Sequence, residues 1–179
     1  MDNLITKPAA LSLKLLSEYV SEGDSVIDAT AGNGHDTLAL AKLAGASGKV
    51  YAFDIQEAAI NNTKALLEKE GFLDRCELIP GSHRLMEEFI PEGARGKIAA
   101  VVFNLGWLPN GDKNKTTISD TTLPAAEQAL SLIRPGGIVA ITMYCGHPQG
   151  GEEKEALLRF AGRLPQAEYH AAYISFINQ

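Results

Sequence analysis

The stretch Val26-Ile-Asp-Ala-Thr-Ala-Gly-Asn-Gly-His-Asp36 constrains this chain more than any other. Val26 and Ile27 read as the end of a buried strand, and the spacing from Thr37 to Leu43 predicts an amphipathic helix. Between them, Gly32 and Gly34 allow a tight turn and let a ligand come close to the backbone. A strand, a glycine turn and a helix N-terminus form a corner where free backbone N–H groups and the positive end of the helix dipole face outward. Many strand-to-helix connections carry a glycine, so the corner alone fits a structural turn as well as a binding site.

The next element narrows the choice. Lys49-Val-Tyr-Ala-Phe-Asp54 is a second apolar strand ending in a carboxylate, roughly where a dinucleotide fold hydrogen-bonds a ribose. A nicotinamide dinucleotide would want a third glycine where this chain has Thr37. Asp28 and Asp36 also flank the turn, where they would repel a pyrophosphate. Carboxylates suit a ligand that carries an ammonium and a sulfonium, so S-adenosylmethionine is the better match.

At 179 residues, 45% apolar and 21% charged, the chain reads as one soluble globular domain. A net charge of −6 argues against a surface that coats nucleic acid broadly, though not against a local basic patch. Cys76 and Cys145 lack metal-ligand spacing and read as buried free thiols, and no metal is expected. No run resembles a signal peptide or a membrane span, so the cytoplasm is the expected compartment.

In chain order the pattern predicts helices over 8–20, 37–43, 57–70, 84–89, from 121 to the Arg134-Pro-Gly-Gly137 stop, and over 152–162. Strands are expected to end at Ile27 and to span 49–54, 76–79, 97–103, 138–143 and 169–177. Pro124 is expected in the first turn of its helix. Such alternation calls for a Rossmann-like α/β fold: a mostly parallel sheet, right-handed crossovers, and helices on both faces. The polar loops 28–36, 54–57, 81–84, 104–117 and 144–150 then all open beyond the carboxyl ends of the strands, where ligands of such sheets bind.

Four motifs carry a resemblance: Asp28-Ala-Thr-Ala-Gly-Asn-Gly-His-Asp36, Tyr51-Ala-Phe-Asp-Ile-Gln56, Phe103-Asn-Leu-Gly-Trp-Leu-Pro-Asn-Gly-Asp-Lys113 and Gly146-His-Pro148. Together they resemble a small bacterial family of S-adenosylmethionine-dependent methyltransferases, long labelled rRNA methylases and understood as MnmM-type tRNA methyltransferases. The resemblance covers nearly the whole chain, whereas the first motif alone points only to the class I methyltransferase superfamily. It implies the class I methyltransferase fold and methylation of the amine of 5-aminomethyl-2-thiouridine at the wobble position. It also implies the tRNA anticodon region as partner and a homodimer as assembly. Trp107 stands where the family usually has tyrosine, and Asn110 where it has glycine. The family continues past Phe176-Ile-Asn-Gln179 into a Pro-containing turn and one more apolar strand, so the last antiparallel strand is expected to be absent.

The resemblance puts Asp28 and Asp36 near the methionine end of the cofactor, around the turn of Gly32, Asn33 and Gly34; the plain alternative for Asp36 is a helix cap. Asp54 is assigned to the ribose, and Gln56 to the adenosine or to solvent. Ser82 and His83 lie in the loop that contacts adenine in this fold, with a surface histidine as the alternative. Asn104 ends the central strand at the expected reaction centre, where its amide and nearby carbonyl oxygens would hold the amine with its lone pair toward the methyl group. Trp107 would stack on the target base or pack on the core. Tyr144 and His147 face the same opening, His147 as a proton acceptor or, preferably, as an ordering element of its loop. Lys113 and Lys115, with Lys7 and Lys14, would meet RNA phosphates or simply stay solvated. Two rival readings stay open: a methyltransferase acting on rRNA or a small-molecule amine, and a nucleotide-binding module without catalysis.

Overall fold

Alternation along the inner strands divides the core in two. In β1 (Ser25–Asp28), β2 (Lys49–Asp54) and β4 (Ile98–Leu105), the side chains of Ile27, Tyr51, Phe53, Val101, Phe103 and Leu105 join one apolar cluster. Val26, Val50, Ala100 and Val102 join the other, because successive side chains leave opposite sides of a strand. With β3 (Cys76–Pro80) and β5 (Ile133–Met143) these strands form a sheet of order β3-β2-β1-β4-β5, parallel at every described pairing. The computed structural model describes residues 8–106, 117–144 and 148–177, the side chains of 148 and 149 excepted. Trp107, Asn110, Lys113, Lys115, Cys145, His147 and Lys7 lie outside the described residues.

A parallel sheet that is apolar on both sides needs a helical layer on each. Leu16 of α1 (Pro8–Leu16), Leu40 of α2 (His35–Ala44) and Leu67 of α3 (Glu57–Glu70) cover the Val26 side. Met86 of α4 (Met86–Phe89), Leu132 of α5 (Ser119–Leu132) and Leu157 of α6 (Pro148–Ala161) cover the Ile27 side. This is the doubly wound α/β arrangement that the alternation predicts. The carboxyl ends of all five strands therefore open at one edge. β1, flanked by β2 and β4, marks the point where the winding reverses.

Several boundaries move. α1 stops at Leu16, and the amides of Tyr19 and Val20 turn back onto the Leu16 carbonyl. α5 starts at Ser119, which shifts Pro124 past the first turn, where it forfeits a backbone bond. β5 begins at Ile133 and absorbs Arg134-Pro-Gly-Gly137 as a bulge, its register jumping from Ile98↔Ile133 to Ala100↔Ile138.

The strand expected over 169–177 is overturned: these residues form no strand. Aromatic and β-branched content makes a strand only where a ladder partner exists. Here residues 169–173 line a groove with Leu158, Ala161 and Gly162 at the end of α6, and Lys154 lies 5.9 Å over the Tyr173 ring. Cys76 is a buried free thiol, its pKa pushed up to about 11 by burial. No described helix is long and apolar enough to cross a membrane. Leu40, fully buried between α2 and the sheet, gives a direct check on this packing. Leu40→Ala should cost about 2–5 kcal/mol, lowering the urea midpoint while leaving the m-value unchanged.

Candidate functional site

The glycine turn is pinned from both sides of the switch point. The Ala29 amide donates to the Val102 carbonyl of β4 at 2.9 Å, and the Ala31 amide to the Phe53 carbonyl of β2 at 2.9 Å. Gly34, at φ +82°, sits against α3: a Cβ there would meet the Thr63 Cα at 2.8 Å. Only glycine fits both the conformation and the gap. The Thr63 hydroxyl donates to the Gly32 carbonyl at 3.2 Å, fixing the turn further.

Asp54, at the end of β2, closes the corner. One carboxylate oxygen accepts from the Gly32 amide at 3.0 Å and the other from the Gln56 amide at 2.9 Å. A carboxylate offers about four acceptor positions, so each oxygen keeps one for a vicinal diol. Asn33 instead turns outward, its side-chain oxygen accepting from Asn62 at 3.0 Å. Gln56 contributes its backbone, as the residue that caps α3.

Asp28 is fully buried beneath the turn. Its oxygens accept from the Thr30 amide at 3.1 Å and from the Thr37 hydroxyl at 2.7 Å. Loss of water around it, helped by the neighbouring charge of Asp36, pushes its pKa up to about 7. Gly34 holds the N-cap position of α2, and Asp36 lies in its first turn. Asp36 accepts from the Asn104 side-chain NH2 at 2.5 Å, and burial raises its pKa too. The Asn104 backbone amide donates to the Thr30 hydroxyl at 2.7 Å. Thr37, Asp28, Thr30, Asn104 and Asp36 thus form one chain of polar contacts joining the turn, the end of β4 and the first turn of α2. Among the described residues, no lysine or arginine pairs with Asp28, Asp36 or Asp54.

Two buried acceptors face this corner unpaired. His83 Nδ1 lies 3.0 Å from the Ala29 carbonyl, which can only accept, so the proton is on Nδ1. Nε2 is then an acceptor with no partner among the described residues. Burial lowers the His83 pKa, keeping the ring neutral. The second is Asn104 Oδ1, also buried and without a partner. The Ser82 hydroxyl is engaged with the Arg84 amide at 3.2 Å. Tyr144 borders Gly106; partial burial and the Asp36 charge raise its pKa, so its phenol stays protonated at neutral pH. Lys14 lies away from the corner, paired with Glu18 at 2.7 Å on α1.

The sequence reading missed Thr30, Thr37 and Thr63. Thr37 carried a signal, since a hydroxyl at the position of an absent glycine can bond the acid below it. Glu153, 2% exposed, was also missed; it accepts from the Thr117 and Thr122 hydroxyls at 2.9 and 2.5 Å. A glutamate in an amphipathic helix gives no cue to that burial.

A parallel sheet of this order, with a glycine turn after β1 and an acidic residue ending β2, is shared by dinucleotide-binding and class I methyltransferase folds. Residues 50–179 match the family described as "Putative rRNA methylase", and the chain belongs to it. A relative from Arabidopsis thaliana, "tRNA (mnm(5)s(2)U34)-methyltransferase, chloroplastic", is 41% identical over 170 residues, 90% of this chain and 61% of that protein. This chain thus spans under two thirds of that relative's length. The crystal structure of a "putative rRNA-methylase" from Clostridium thermocellum is 40% identical, with a TM-score of 0.92 over 97% of this chain and 91% of that one. A "putative methyltransferase" from Streptococcus mutans, solved in complex with SAH, is 36% identical, with a TM-score of 0.79 over 90% and 84%.

Asp28 gives the site a pH signature. Folded, its carboxyl holds a proton up to about pH 7, whereas an unfolded chain releases it near 3.8. Between those values the folded chain binds more protons, so ligand-free stability falls as pH rises through this window and levels off above it. Asp28→Asn keeps an acceptor for Thr30 and a donor for the Thr37 oxygen without the charge. Urea unfolding at several pH values should show the variant gaining on the wild type as pH rises from about 4 to about 8.

Proposed function

We propose that this chain is an S-adenosylmethionine-dependent methyltransferase that acts, as one domain, on the amine of 5-aminomethyl-2-thiouridine at the tRNA wobble position. The observation that carries the reading is the corner itself: three carboxylates that pair with no lysine or arginine among the described residues, beside an Asn104 oxygen that has no partner among them. Such a corner repels a diphosphate and favours a sulfonium and an ammonium. The family, the name of the Arabidopsis relative and the SAH complex of the Streptococcus mutans protein support the same choice of cofactor.

The residues present fit that cofactor. Asp54 has acceptor positions left for the ribose hydroxyls, and Gly32 and Gly34 keep side chains out of the way. His83 Nε2 is a buried acceptor suited to an adenine amino group, with Ser82 preceding it in the same loop and Gln56 assigned to the adenosine. Ile55, exposed between Asp54 and Gln56, adds an apolar surface for the base. Asp28 fixes the turn from below, while Asp36 supplies charge at the methionine end. When bound, the cofactor supplies an electrophilic methyl group: the new N–C bond forms as the S–C bond breaks, and its electron pair stays on sulfur.

The protein's part is to present an uncharged amine in line. Asn104 Oδ1 accepts one N–H of the amine and leaves its lone pair free. Exclusion of water lowers the pKa of the acceptor ammonium, which helps it arrive neutral. His83 Nε2 is taken up by the adenine in this reading, burial lowers the basicity of the ring, and the Tyr144 phenol stays protonated, so neither is assigned as the base. Positioning therefore carries most of the rate. In the same reading, Trp107 stacks on the base, and His147 orders the loop after β5. The tRNA anticodon region docks at this edge, Lys113 and Lys115 meet phosphates, and the protein works in the cytoplasm as a homodimer.

Mass spectrometry of tRNA nucleosides from a strain lacking the protein tests this. Loss of the methylated wobble uridine with gain of its aminomethyl precursor is the expected result; unchanged tRNA with an altered rRNA nucleoside would overturn it. In the purified protein, Asn104→Ala should cut turnover on the order of 100-fold. Affinity for S-adenosylhomocysteine, read by calorimetry, should stay within about threefold.

A further inference from the structure

The two ends of an asparagine amide are nearly the same shape and differ only in what they can bond: the NH2 donates, the oxygen accepts. Left alone, Asn104 could present either end to a substrate. An ionised carboxylate accepts only, so whichever end faces Asp36 must be the NH2. That contact is short, 2.5 Å from Nδ2 to the Asp36 oxygen, and partly buried. The Asn104 backbone is fixed separately, by its amide bond to the Thr30 hydroxyl at 2.7 Å. Thr30 and Thr37 in turn hold Asp28, which extends the chain of polar contacts to α2. With backbone and NH2 both tied, Asn104 Oδ1 has one orientation left, and it is buried there with no partner among the described residues. An unpaired buried carbonyl oxygen is destabilising, and a donor arriving with the ligand relieves this.

We infer that Asp36 is a positioning residue for methyl transfer: its carboxylate locks the Asn104 amide with the oxygen turned toward the acceptor amine. The inference rests on the proposed amine methylation and assigns Asp36 a role apart from holding the cofactor. With the lock in place the site presents an acceptor to the N–H of a neutral amine. With the amide reversed it would present a donor, which would compete for the amine's lone pair and block attack. Asp36 thereby selects an acceptor that brings a hydrogen to the site, a primary or secondary amine, over one that brings only a lone pair.

A swap of the pair tests this. Asn104→Asp alone sets two carboxylates against each other, and turnover should fall on the order of 100-fold. Adding Asp36→Asn restores a donor-to-acceptor contact of reversed sense, and the double variant should regain at least about tenfold over Asn104→Asp. Asp36→Ala should lower kcat about 30-fold or more, a clearly larger loss than its loss of affinity for S-adenosylhomocysteine, with KM for the RNA within about threefold. The Asn104 side-chain NH2 resonance should be protected from exchange in the wild type and lose that protection in Asp36→Ala. An active wild type whose swap gives no recovery, although the double variant folds and binds S-adenosylhomocysteine, overturns the inference. So does a loss of cofactor affinity in Asp36→Ala as large as its loss of kcat. A wild type that methylates no tRNA, while the NH2 resonance stays protected, overturns the proposed function instead.

Discussion

Burial of carboxylates around one turn sets the electrostatics of this molecule's candidate site, with the charge of Asp36 adding to the effect of burial at Asp28. Asp28, Asp36 and Asp54 come from the end of β1, the start of α2 and the end of β2, and among the described residues no lysine or arginine pairs with them. Each is held by hydrogen bonds instead: Asp28 by Thr30 and Thr37, Asp36 by Asn104, and Asp54 by the Gly32 and Gln56 amides. A scaffold that concentrates like charge and partners it only with neutral donors is stabilised further by a ligand bearing the opposite charge. The same contacts that tolerate the charge also set the geometry, because the donors are the turn, the end of β4 and the first turn of α2.

The scaffold makes this affordable through its topology. β1 lies between β2 and β4, so the turn after it touches the ends of both neighbours through the Ala29 and Ala31 amides. Large apolar side chains on both faces, Phe53 and Phe103 of the sheet on one side and Leu16 and Leu40 of the helical layer on the other, keep those strand ends from shifting. His83 touches both the core and the site, packing edge-on against Phe103 at 5.7 Å while its Nδ1 holds the Ala29 carbonyl. The corner is thus built on elements whose relative placement the core fixes.

Much of this was legible in the sequence. Strand periodicity, the Gly32 and Gly34 spacing and the acid closing β2 identify the fold and the edge that binds, since each reflects local chemistry and one sheet rule. The run of polar contacts linking Thr37, Asp28, Thr30, Asn104 and Asp36 was not legible, because Asn104 and Asp36 meet only after β4 is laid beside β1. Residues 169–177 misled for the opposite reason: their composition suits a strand, and strand formation depends on a partner that composition cannot supply. Arg134-Pro-Gly-Gly137 reads as a stop and behaves as a bulge, because the Ile133 backbone on its near side already pairs with Ile98.

Isothermal titration of S-adenosylmethionine into the wild-type protein at about pH 6, in two buffers of different ionisation enthalpy, tests the electrostatic account most directly. A positive ligand favours the ionised form of Asp28, whose pKa stands at about 7 in its absence, so binding should release protons to the buffer. Binding with no proton release, or with uptake, would contradict the account, as would a preference for NAD over S-adenosylmethionine.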